Sequence, residues 1–257
     1  MKKFTANVKT FFGIKTYEGK IPESWSEVTG EQLVAIASMY NHQDTQLNLV
    51  AKFTEIPLHV VEKMNNIELY YVLQEFDFIK DFKPRNSFII TEVNGLYSPY
   101  PKLNKFTWGQ FVFVETYFED YLDTPTDELL NLFVSHLYLR RNETFNHDIC
   151  LKRAKQRIIT HMSNDNKTSI IINYRLIREW LSVTYPLIFL AATPAAPATN
   201  KSTNQQINKS TQKKGVWIEI YDAIVGDDLV NSNKYATLEL HRVLKYMNNK
   251  IKANARK

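Results

Sequence analysis

A single cysteine, Cys150, stands among 257 residues, which excludes an intramolecular disulfide and a cysteine-only metal cluster. Glycine is scarce, at 7 residues, arguing against folds that need many special turns or a glycine-rich phosphate cradle. Long apolar runs are missing too. Leu187 to Ala192 is the most apolar stretch and is far shorter than the roughly 20 residues a helix needs to cross a bilayer. Lys2 and Lys3 precede Phe4-Thr5-Ala6-Asn7-Val8-Lys9, in which polar residues interrupt any signal-peptide core. There is no Walker loop, Gly-x-Ser-x-Gly elbow, His-Glu-x-x-His or Gly-x-Gly-x-x-Gly. The expectation is a chain that is not an enzyme, holds no cofactor and has no membrane partner.

What is present is a globular composition, 44% hydrophobic, 23% charged and 13% aromatic. The net charge of +5 is unevenly placed: residues 201 to 257 hold 11 Lys and Arg against 5 Asp and Glu, so the rest is close to neutral. A basic end can meet an acidic partner or simply keep the chain solvated. It lacks an arginine-rich run with interleaved aromatics, which speaks against nucleic acid as the partner.

The plainest boundary is compositional. Thr193 to Gly215 is polar and rich in Pro, Ala, Ser, Thr and Asn, and cannot bury enough surface to offset its ordering entropy. It predicts a flexible linker, 193–215, between a body, 1–192, and a C-terminal unit, 216–257. In the body, Thr29 with Gln32 and Thr107 with Gln110 fit the capping box, each followed by apolar residues at helical spacing. The two starts align as copies, Leu47-Asn-Leu-Val matching Leu130-Asn-Leu-Phe further on, which predicts either two helical hairpins of one pattern or a chance likeness of well-capped helices. Between them Ser87-Phe-Ile-Ile-Thr-Glu-Val, Asn94-Gly95 and Leu96-Tyr97 read as a β-hairpin near 87–98. Further helices are expected at 44–53, 57–64, 66–80, 125–139, 147–161 and 170–190. The fold class is mainly α: a helical-hairpin body with a small inserted β-hairpin, a linker and a C-terminal two-helix unit.

In that last unit Trp217, Ile220, Tyr221 and Ile224 form one apolar stripe ending at Gly226. Leu240, Val243, Leu244 and Met247 form another, on a helix expected at 234–252. Two helices this short rarely make a core by themselves, so these eight residues are candidates for binding a partner, with docking on the chain's own body as the alternative. Trp25 and Trp108 read as core or staple residues at helix starts. His147, Asp148, Cys150 and His161 make the best metal candidate, but on one helix His161 would lie about 21 Å further along the axis, so no metal site is expected. Glu115, Glu119, Asp120 and Asp123 read as the wet side of a helix.

The succession Ile21-Pro22-Glu23-Ser24-Trp25-Ser26-Glu27-Val28-Thr29, Asn94-Gly95-Leu96-Tyr97 and Leu103-Asn104-Lys105-Phe106-Thr107-Trp108-Gly109-Gln110-Phe111 resembles a family of tailed-bacteriophage tail-module proteins. Arg141 through Ala154 resembles the segment that follows in them. The resemblance implies a tail assembly chaperone that keeps the long tape-measure protein soluble in the host cytoplasm, with self-association possible. The alternative is a structural tail or baseplate component retained in the virion.

Overall fold

The computed structural model describes residues 1–10, 13–41, 45–81, 83–189 and 216–254. The expected linker, 193–215, lies outside the described residues. The fold is mainly helical, with two small antiparallel hairpins. It divides into two compact units, one of Met1–Val93 and His161–Trp180, the other of Asn94–Thr160 and Leu181–Lys257. Each compact unit recruits a piece from later in the chain.

Unit 1 opens with a hairpin that the sequence reading missed. β1 (Lys2–Thr10) pairs antiparallel with β2 (Gly13–Ile21), from Lys2 opposite Ile21 to Thr10 opposite Gly13. One face of it turns Ala6, Val8 and Ile21 into a core shared with α1 (Gly30–Tyr40), α2 (Gln46–Thr54), α3 (Leu58–Val61) and α4 (Asn66–Gln74). Ile172 and Leu176 of α8 (Asn164–Thr184) complete that core. The Thr29 capping box forms as expected, with Gln32 N donating to Thr29 Oγ1 at 3.3 Å and Thr29 N to Gln32 Oε1 at 3.0 Å. α4 starts at Asn66 as expected, capped by Asn65 with Glu68, but stops at Gln74 before a 3-10 turn at Asp77–Lys80. Trp25 is buried, and its indole N–H donates to Asp81 O at 2.8 Å.

The inserted hairpin is shorter than expected. β3 (Glu92–Val93) and β4 (Leu96–Tyr97) flank Asn94 and Gly95, whose φ values of 49° and 79° are those of a type I′ turn. Residues 87–91 are not strand, because Asn173 Oδ1 accepts from the N–H groups of Ile89 at 2.6 Å and Ile90 at 3.1 Å. A side chain of α8 replaces the ladder partner.

Unit 2 centres on α5 (Trp108–Asp123), packed against α6 (Asp127–Leu137), with α7 (His147–Lys155) on α6. α9 (Pro186–Phe189), α10 (Val216–Val225), α11 (Ser232–Ala236) and α12 (Leu240–Asn254) complete it. Because α5 is covered by α6, α10, α11 and α12, its Glu115 is fully buried, not on a wet face as expected. The single helix expected at 234–252 is broken at residues 237–239, where the backbone joins the start of α5: Trp108 N donates to Leu238 O at 2.8 Å and Leu240 N to Phe106 O at 2.9 Å.

The likeness between the two helical hairpins extends to their contacts. Each follows a β-hairpin and a 3-10 turn, and each first helix is capped by a threonine. Gln32 Nε2 donates to Phe53 O at 3.4 Å, and Gln110 Nε2 donates to His136 O at 2.8 Å. The alignment that sets Leu47 on Leu130 sets Phe53 on His136. It also sets Ile56 on Leu139, as the first-helix alignment sets Gly19 on Tyr97. Both pairs meet, Gly19 lying against Thr54 and Ile56 while Tyr97 bridges to Leu139. Repeated long-range contacts are not a property of capped helices in general, so the chain holds two copies of one hairpin-plus-helical-hairpin motif.

Candidate functional site

The second copy carries a cleft of about 580 Å³ that lies wholly within unit 2. One wall is the segment leaving β4. Tyr97 exchanges backbone hydrogen bonds with Leu139, at 2.7 Å and 3.0 Å, and then Pro99 and Pro101 end the strand. Lys102, Leu103 and Lys105 follow with φ of 58°, 52° and 63°, left-handed values that non-glycine residues adopt at a cost of about 1–3 kcal/mol each. Burial of Leu103 and Phe106 holds this loop while Asn104 and Lys105 stay exposed. α12 holds it too, since His241 Nε2 lies 2.5 Å from Lys102 O. A carbonyl only accepts, so Nε2 carries the proton and Nδ1 accepts from the Tyr185 hydroxyl at 2.8 Å.

The opposite wall is Leu139 to Phe145, with Asn142 at φ 63°. Glu143 organises it. One carboxylate oxygen accepts from Arg140 N at 2.7 Å, and the other is paired with the buried Arg153. Arg153 also donates to Ser135 O at 3.2 Å and Tyr138 O at 3.4 Å, so this buried ion pair is hydrogen-bonded on both sides.

The electrostatics follow from that arrangement. Lys105, Arg140 and Arg141 line the cleft, and Glu143 is the one carboxylate among the lining residues. Both Glu143 oxygens are occupied, and no ion pair involves Lys105, Arg140 or Arg141 among the described residues. The Arg141 guanidinium lies 4.9 Å above the Tyr97 ring and the Lys105 ammonium 5.1 Å above the Tyr100 ring. The rings orient the cations without neutralising them.

Beside the cleft, α6 and α7 bring together two histidines. His136 Nδ1 lies 2.7 Å from Leu132 O, and its Nε2 lies 3.0 Å from His147 Nδ1. The carbonyl makes His136 Nδ1 a donor, so neutral Nε2 accepts from His147. Burial pushes the His136 pKa down to about 4, partly opposed by the Leu132 carbonyl, with His147 and Arg153 depressing it further. His147 stacks on Phe113 at 3.9 Å and is shifted down by burial. Burial pushes the Cys150 thiol up to about 11, so it is not a nucleophile near neutral pH. No group of three or more His, Cys, Asp or Glu among the described residues could hold a metal ion.

The eight residues singled out for partner binding are spent on the chain itself. Trp217, Leu240, Val243 and Leu244 are buried, and Ile220, Tyr221, Ile224 and Met247 are half-buried. Trp217 meets Trp108 at 6.2 Å, Phe111 at 4.8 Å and Phe189 at 5.5 Å, all within unit 2. The stripes dock in cis, α10 on the aromatic surface of α5 and α12 on α9 and α5, which is the alternative the sequence left open for them. The cleft cations were not singled out by spacing, but three of the four segments on which the resemblance was stated meet there, through Tyr97, through Lys105, Phe106 and Gln110, and through Arg141, while residues 21–29 lie in unit 1. No family model, curated protein or solved structure matches the chain, so the chemistry of this site rests on its own residues.

Proposed function

We propose that the chain is a non-enzymatic tail assembly chaperone of a tailed bacteriophage, which holds the tape-measure protein through the cleft of unit 2. The observation that carries this reading is the meeting of three of the four resembling segments at one cleft whose cations have no ion pair among the described residues. Unpaired charge at a preformed surface costs stability through mutual repulsion and is best relieved by an anionic partner. The C-terminal helices, docked in cis, serve the cleft by holding its loop and do not reach for the client themselves.

The test is co-expression with the tape-measure protein encoded in the same tail module. Pull-down is expected to recover a complex that the double variant Arg140→Glu, Arg141→Glu loses. Absence of a complex with the unaltered chain sinks the reading. A second reading, a permanent tail or baseplate subunit, is favoured by β1 and β2, a two-stranded sheet whose outer edges have no strand partner among the described residues. Mass spectrometry of purified particles separates the two, a subunit being stoichiometric and a chaperone absent or trace.

A further inference from the structure

Resting on the reading that the cleft is the partner-binding surface, we propose that its occupant is an extended acidic peptide segment, with carboxylates on Arg140, Arg141 and Lys105. The volume of about 580 Å³ admits a few residues of extended chain and not a folded domain or a helix with its side chains. The polar lining, Ser98, Asn104, Asn142 and Thr144, offers donors and acceptors to a peptide backbone.

The cation–ring pairs decide between peptide and nucleic acid. Single-stranded nucleic acid is held by bases stacking on open aromatic faces. Here Arg141 covers the Tyr97 face and Lys105 lies over Tyr100. A guanidinium stacked on a ring keeps its edge N–H groups free, in the fork that matches a carboxylate. Three cations grouped in one cleft also fit a short run of acidic side chains better than a long phosphate backbone. The left-handed residues on both walls, pinned by His241 and by Glu143, fix this arrangement before a ligand arrives, which lowers the ordering cost of binding.

The experiment measures fluorescence anisotropy of the full-length protein with three labelled probes: a ten-residue peptide of alternating Glu and Ala, the same peptide with Gln for Glu, and oligothymidylate of equal negative charge. The Glu peptide is expected to bind at least roughly tenfold more tightly than either control and to weaken on raising the salt. Arg141→Ala and Lys105→Ala are each expected to lose roughly tenfold, and Arg141→Lys to lose affinity despite keeping its charge. These side chains are exposed, so unchanged thermal unfolding confirms that each variant is folded. Equal binding of the Glu and Gln peptides, tighter binding of the oligonucleotide, or indifference to the cleft variants overturns the proposal. Should the tape-measure complex depend on Arg140 and Arg141 while the Glu peptide fails to bind, the ligand class is wrong and the site stands. Should that complex ignore both residues, the functional reading fails instead.

Discussion

His136 is a fully buried histidine with both ring nitrogens bonded in the neutral form, so its titration couples directly to stability. The unfolded chain takes up this proton near 6.5, the folded chain only near 4. Between those values the unfolded state holds more protons, so stability rises with pH there. The contribution is complete above about 6.5 and is lost as pH falls toward 4, about 3 kcal/mol in all. Urea denaturation from pH 7.5 to 4.5 is expected to show a shallower loss for His136→Gln than for the unaltered chain, although the variant starts less stable. Parallel profiles would show that this ring is not held neutral. The imidazole was invisible as a special residue in the sequence, because its low pKa comes chiefly from burial and its tautomer from a carbonyl one turn back and a ring on another helix.

At the level of elements, local chemistry was legible and long-range substitution for it was not. The threonine caps at Thr29 and Thr107 and the Asn94-Gly95 turn depend on residues within three or four positions, and each formed, although of the two expected capping boxes only the one at Thr29 closes, the Gln110 amide donating to His136 O. β1 was overlooked although Phe4, Ala6 and Val8 alternate with polar residues, since three apolar positions make a weak period-two signal. Residues 87–91 have strand-forming side chains but take their hydrogen bonds from Asn173, more than eighty positions away. The cleft was hidden for the same reason, as its walls are separated in sequence and its three cations face a single carboxylate, Glu143, that is held by Arg140 N and Arg153. Glycines sharpen the point. A Cβ on Gly109 would come within 2.8 Å of the Ala236 Cβ, so α11 can sit on α5 only over a glycine. Gly109→Ala is expected to destabilise unit 2 by about 1–3 kcal/mol. Gly30→Ala, with open space around it, should leave the melting temperature unchanged or slightly raised. Equal melting of the two variants would show that α11 does not make this close approach.

For the whole molecule, the consequence of cis docking is that residues 216–254 belong to the fold of unit 2, not to an accessory arm. Each compact unit closes its core with a segment from later in the chain, unit 1 with α8 and unit 2 with α9 to α12. Periodicity in a sequence is a local property and does not say which core a helix joins. Burying Trp217 between Trp108, Phe111 and Phe189, and joining Phe106 and Trp108 to residues 238 and 240 by backbone, makes an interface that should survive cutting the chain. Co-expressed as separate chains, residues 1–192 and 213–257 are therefore expected to purify as a one-to-one complex. Trp217→Ala should release the smaller piece, because truncating a buried tryptophan costs about 3–5 kcal/mol. A complex that forms equally well without the tryptophan, or two pieces that never associate, would return the C-terminal stripes to a partner and deprive the Lys102 loop of its clamp.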